Sequence, residues 1–151
     1  MSIEKTLILI KPDAIFRKLT GLVLYRLDNA GFEMIAAKTV SVTEELARKH
    51  YEALKDKPFF EELVKFIMGK FHNIPRNRIL ALIYKGENAI QGVREIVGAT
   101  NPEDAMPHTI RGSLGKISTK GLFENVVHAS GNREDAEREI KLWFNPEEII
   151  E

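Results

Sequence analysis

Leu7-Ile8-Leu9-Ile10-Lys11-Pro12-Asp13 sets four consecutive apolar residues before a lysine and a proline. An unbroken apolar run, here from Thr6 to Ile10, predicts a strand buried on both faces. It stops at Lys11, because proline disfavours helix at the residue before it and cannot donate to a ladder. The strand therefore delivers a lysine to its end. Far downstream, Asn125-Val126-Val127-His128-Ala129-Ser130 delivers an imidazole in the same way. Two apolar strands that each present a reactive side chain are one way to build a chemical site on a rigid sheet. Between them lies Thr109-Ile110-Arg111-Gly112, with further phosphate-type ligands before it.

Outward from these strands, Gly21 to Ala30 predicts an amphipathic helix, with Leu22, Tyr25 and Arg26 at helical spacing and Gly31 as its stop. Phe32 to Val42 alternates and is rich in β-formers, so it predicts a strand. Thr43 followed by Glu44 and Glu45 starts a helix in which Ala47, Tyr51 and Leu54 share a face. Pro58 opens the next, with Phe60, Leu63, Val64 and Ile67 as its stripe. Gly69 to Arg78 reads as a polar, basic loop and Ile79 to Tyr84 as a strand. Asn88 to Val97 reads as a helix closed by Gly98. Ala99 to Lys120 reads as a long loop, of the kind more often functional than idle. Leu122 to His128 is the last strand, and Asn132 caps a helix to about Phe144. This order predicts an α+β fold: a ferredoxin-like antiparallel four-stranded sheet, βαββαβ with extra helices packed on it.

With 151 residues, one domain over 1–151 is expected. The net charge is zero. Broad attraction to nucleic acid or anionic lipid is therefore missing, no specific nucleic-acid partner is expected, and any anion must be held by a local cluster. There is no cysteine, which excludes disulfides, thiol catalysis and cysteine-ligated zinc. The apolar run after Glu4 and Lys5 is too short for a signal peptide or a membrane span, so a cytoplasmic protein is expected.

The common phosphate-loop patterns are missing, and Gly112-Ser113-Leu114-Gly115-Lys116 has the wrong spacing to replace them. His50, His72, His108 and His128 are scattered without metal-ligand spacing, so no protein metal ligands are predicted. A histidine ending a strand is more often structural than chemical. Here its surroundings point to His128 as a nucleophile, since an unperturbed imidazole is mostly neutral at pH 7 and neutral imidazole attacks without a separate base. On the last helix Ala136, Ile140 and Trp143 form a stripe, and Glu139 points along it. A carboxylate there needs a partner: either a salt bridge at the stripe edge or one nitrogen of His128, leaving the other free. Arg94 lies beside the stripe Ile90, Val93 and Val97. It is either a snorkelling surface arginine or, with Thr100 and Arg111, a donor set for phosphate oxygens. Phe59, alongside Leu63 and Phe66, is either core or a ring on which any base can stack.

These residues identify a resemblance. The chain resembles nucleoside diphosphate kinases over nearly its whole length: Thr6 through Asp13, Lys57-Pro58-Phe59-Phe60, Gly98 to Pro102, Thr109 to Gly112, Asn125 to Ser130, and Leu142-Trp143-Phe144-Asn145-Pro146-Glu147-Glu148. The resemblance implies transfer of the terminal phosphate of ATP or another nucleoside triphosphate to a nucleoside diphosphate. The implied mechanism is ping-pong through a phosphohistidine, with broad base specificity. It implies His128 as nucleophile, Glu139 orienting it, Ser130 supporting Glu139, and Tyr51 close to the histidine. Lys11 would contact the sugar hydroxyl and terminal phosphate, and Asn125 the ribose. Arg94, Thr100 and Arg111 would hold phosphates, and Phe59 the base. It also implies magnesium (Mg2+) bridged between nucleotide phosphates, and a homo-oligomer, a hexamer ahead of a tetramer. Ala129 stands where the family usually has glycine, and Gly131 where aspartate is common. Segments 69–78 and 113–124 read as enlarged, which leaves Leu122 as the residue under the base. The first strand adds to the expectation of assembly: helices covering only one of its apolar faces would leave the other to a second copy.

Overall fold

In the computed structural model, which describes residues 2–151, the chain forms β1 (Ile3–Ile10), α1 (Pro12–Phe16), α2 (Thr20–Asp28), β2 (Glu33–Ser41), α3 (Glu44–His50), α4 (Phe60–Ile67), β3 (Arg78–Glu87), α5 (Ala89–Val97), α6 (Ile110–Leu114), β4 (Lys116–Ile117), β5 (Phe123–Glu124), β6 (Val127–Ala129) and α7 (Arg133–Trp143). The main sheet is antiparallel with order β2-β3-β1-β6, so β3 is inserted between β1 and β2. This is the ferredoxin-like arrangement that the element order predicts.

The alternation of a strand explains why β1 is apolar throughout. Leu7 and Leu9 face a layer containing Ala47 of α3, Phe60, Val64 and Ile67 of α4, and Trp143 of α7. Ile8 and Ile10 face a second layer containing Ala14, Val23, Leu27, Val93, Val97 and Ile110. Each Leu or Ile so enclosed contributes about 1.5–3 kcal/mol of transfer free energy. Helices thus cover both faces of β1. The expectation that an uncovered face calls for a second copy is corrected by this packing.

The helix signals hold where a capping side chain marks them. Thr43 Oγ1 accepts from the Leu46 N–H, and Asn132 Oδ1 from the Asp135 N–H at 2.8 Å. Gly98 ends α5 at φ +92°, and a side chain there would collide with Thr109. Other expectations are corrected. α2 buries Val23 and Leu27, while Leu22 and Tyr25 are exposed; helical spacing fits either face, and the sheet selects the purely aliphatic one. The stretch from Ala99 to Lys120 contains α6, whose Thr109 cap closes on Gly112 N–H. The expected single strand from Leu122 to His128 is two short pieces broken at Val126. Among the described residues, no helix is long and apolar enough to cross a membrane.

Candidate active site

His128 lies directly opposite Leu9 in the β1–β6 ladder. Residues paired in this way share a face of the sheet, so the imidazole enters the layer covered by α3, α4 and α7. There Glu139, itself buried on α7, meets it: Glu139 Oε1 lies 2.9 Å from His128 Nε2. The same oxygen accepts the Ser130 hydroxyl at 2.8 Å, and Ser130 Oγ accepts the Leu7 N–H at 3.0 Å. Burial pushes the Glu139 carboxyl up, but the bond to His128, its charge, Ser130 and Arg138 together hold it below the usual range. An ionised carboxylate only accepts. His128 therefore carries its hydrogen on Nε2 and presents the Nδ1 lone pair.

His128 lines a cleft of about 580 Å³ together with Lys11, Tyr51, Phe59, Arg94, Thr100, Arg111 and Asn125. The structure brings together every residue singled out from the sequence, though several are already engaged. Lys11 Nζ donates to Asn125 Oδ1 at 2.8 Å and sits 4.9 Å from the centre of the Phe66 ring. Burial lowers the Lys11 ammonium to about 8, against Asp13 and with Arg111. Asn125 Nδ2 donates to the Thr100 carbonyl at 3.0 Å. Arg111 is braced on three carbonyls: Asn125, Gly98 and Val127. A guanidinium has five N–H donors, so two remain for an anion. Burial, then the nearby Arg94, lowers Arg111 to about 10. Burial and the Glu139 charge push the Tyr51 phenol up, so it remains an O–H donor. Phe59 is 44% exposed, too open for core. Leu122 and Phe123 also line the cleft.

Sequence reading missed His50, which it set among scattered histidines. The fold packs its ring edge-to-face on His128, with centroids 4.5 Å apart. His50, His128 and Glu139 bring ligand-type atoms within 4.8 Å of one another. However, the Trp143 indole N–H donates to His50 Nδ1 at 3.1 Å, leaving the hydrogen on Nε2. His50 thus offers a donor and no lone pair. Burial, then His128, Arg138 and Lys11, keeps it far below the ordinary imidazole range, hence uncharged. The only sequence signal was its adjacency to Tyr51.

A half-buried imidazole whose Nε2 is held by a carboxylate, and whose Nδ1 opens on a cationic cleft, defines a class: phosphotransferases that carry the phosphoryl group on histidine. Comparison with known proteins narrows this. The family model for nucleoside diphosphate kinase matches residues 4–149. The nucleoside diphosphate kinase of Pyrococcus furiosus is 42% identical over 99% of this chain and 88% of its own length. A transition-state mimic of the Borrelia burgdorferi enzyme, with vanadate and ADP bound, superposes with a TM-score of 0.87 at 37% identity, covering 99% of this chain and 91% of that one. The halophilic enzyme of Halobacterium salinarum, in complex with CDP, gives 0.86 at 36% identity, covering 99% and 93%. The chain belongs to the nucleoside diphosphate kinase family. It moves the terminal phosphate of a nucleoside triphosphate to a nucleoside diphosphate in two half-reactions through a phosphohistidine.

Proposed function

We propose that His128 is the residue that carries the phosphoryl group, by attack of Nδ1 on the terminal phosphorus. The observation that supports this is the 2.9 Å contact of Glu139 with Nε2, which leaves only Nδ1 free. In the first half-reaction the N–P bond forms as the bond to the bridging oxygen breaks, and the nucleoside diphosphate leaves. In the second, a different diphosphate takes the phosphoryl group back by the reverse path, so one cleft serves donor and acceptor in turn. Lys11, Arg94, Thr100 and Arg111 hold the phosphate oxygens and stabilise charge on the group in flight. Asn125 contacts the ribose, Tyr51 donates from beside the histidine, and Phe59 stacks on the base. Residues 1–151 act as a single kinase domain, in the cytoplasm.

Magnesium would enter with the nucleotide, held through its phosphates. The donor set fits this: around the cleft, cations and hydroxyls are available for phosphate oxygens, and the one lining carboxylate, Glu62, is on α4 one turn beyond Phe59. Mg2+ commonly binds through substrate phosphates and retained waters. When bound, it neutralises phosphate charge.

Phosphoenzyme made with ATP and Mg2+, freed of nucleotide, tests the scheme. Any nucleoside diphosphate is expected to discharge it. A requirement for both nucleotides at once would contradict two half-reactions. The ADP and CDP bound by the relatives, a purine and a pyrimidine, support a base contact by stacking. Phe59→Ala is therefore expected to weaken binding by about 1–3 kcal/mol for all four bases. Titration calorimetry checks this; a lower melting temperature with unchanged affinity would return Phe59 to the core.

With both faces of β1 covered, assembly rests on membership of the family. We propose a homo-oligomer, a hexamer ahead of a tetramer. Light scattering at micromolar protein is expected to show an assembly, and a monomer would contradict it.

A further inference from the structure

Lys11-Pro12-Asp13 contributes Lys11 to the cleft, but its aspartate is not among the lining residues. Asp13 is fully buried at the start of α1. Its Oδ2 accepts the Val126 N–H at 2.9 Å, and its Oδ1 has no partner among the described residues. Among the described residues, Val126 is the one β-branched residue at positive φ. Its φ is +74°, an outlier for a β-branched residue. The Val127 N–H bonds back to the Asn125 carbonyl at 2.8 Å, which is the rare, strained γ-turn. Such a conformation persists only where its surroundings over-determine it.

Here both backbone groups of Val126 are held from one motif. Asp13 takes the N–H, and the Lys11 N–H donates to the carbonyl at 2.9 Å. The turn has a geometric consequence. In a straight strand residues 125 and 128 would lie on opposite faces, yet Asn125 and His128 line one cleft. The break at Val126 is what reverses the parity.

We propose that Asp13 is a positioning residue for phosphoryl transfer: its carboxylate clamps the Val126 turn and so brings Asn125, with the charged Lys11 bonded to it, to the same cleft as His128. The proposal rests on the roles assigned above to Lys11 and His128. It also has an electrostatic side. Facing the Lys11 ammonium are Asp13, Arg111, His50 and the Asn125 amide. Burial lowers Lys11, and Asp13 opposes that fall. Burial likewise pushes Asp13 up, against Lys11, the Val126 N–H and its own N–H, with Glu124 adding to the rise. Removing the Asp13 charge therefore lowers Lys11 further. Phosphorylation, which is lost as Lys11 gives up its proton, then fails at lower pH.

Asp13→Asn keeps an oxygen for Val126 and removes the charge; Asp13→Ala removes both. Single-turnover phosphorylation of the full chain by ATP and Mg2+ is followed across neutral and alkaline pH, beside melting curves. The Asn variant is expected to keep nearly the maximal rate, with its alkaline limb about one unit lower. The Ala variant is expected to lose about ten- to a hundred-fold in maximal rate. An unmoved limb in the Asn variant, or an undiminished rate in a folded Ala variant, would overturn the proposal. If the Ala variant does not fold, the limb of the Asn variant decides. His128→Ala run alongside separates the two readings: label on that variant would refute the assigned site itself.

Discussion

His128→Ala is expected to abolish both half-reactions while leaving nucleotide affinity close to that of the native protein. Of the side chains lining the cleft, His128 is the one that offers a ring nitrogen lone pair. Lys11, Arg94 and Arg111 are cations, and the Tyr51 phenol keeps its proton. Nothing near is placed to substitute as nucleophile, and the contacts to phosphate and base do not pass through His128. The side effect is structural: Glu139 keeps Ser130 but loses its ring partner. A partner removed from a buried group costs about 1–3 kcal/mol, so the variant should melt earlier and still fold. A coupled transfer assay beside ADP calorimetry checks this. Measurable turnover with normal affinity would transfer the role to another residue.

Glu139→Gln is expected to slow phosphorylation of His128 by about ten- to more than a hundred-fold, the kinetic equivalent of a charged hydrogen bond worth about 1.5–3 kcal/mol. The amide keeps the shape and one acceptor oxygen for Ser130 and His128, which both bond to Oε1 in the native site. It loses the anion. As Nδ1 attacks phosphorus, positive charge develops on the ring, and the carboxylate facing Nε2 stabilises it. Because Glu139 is held below the usual carboxylate range, that anion survives mild acid, and the effect should persist there. Nucleotide affinity should barely change, since Glu139 does not line the cleft. If Glu139 served only to tie α7 to the sheet, the melting temperature would fall and the single-turnover rate would stay normal.

Much of this site was legible because its parts are local. The β1 run and the caps at Thr43 and Asn132 are signalled within a few residues. The placement of Glu139 follows from helical spacing against Ala136 and Trp143, and its partner was one of two stated alternatives. What escaped depends on contacts between distant segments. A straight strand through Val126 is the natural reading of two valines. The turn exists because Asp13 and Lys11, more than a hundred residues upstream, hold both backbone groups of Val126. His50 became part of the site only when α3 met α7 and Trp143 took its Nδ1. The buried face of α2 was misread because Leu22 and Val23 are adjacent apolar residues on different faces, and only the sheet selects between them. Arg111 was read as one of a donor set for phosphate oxygens; its three backbone carbonyls make it also a brace for the Val126 turn.

Native protein mixed with ATP and Mg2+, then examined by intact mass and by nitrogen-edited NMR of the histidine rings, tests the central claim most directly. The account predicts one added phosphoryl group, acid-labile and alkali-stable, bonded to Nδ1 of His128, with Nε2 still protonated toward Glu139. Phosphate on Nε2, on another residue, or absent altogether would contradict it.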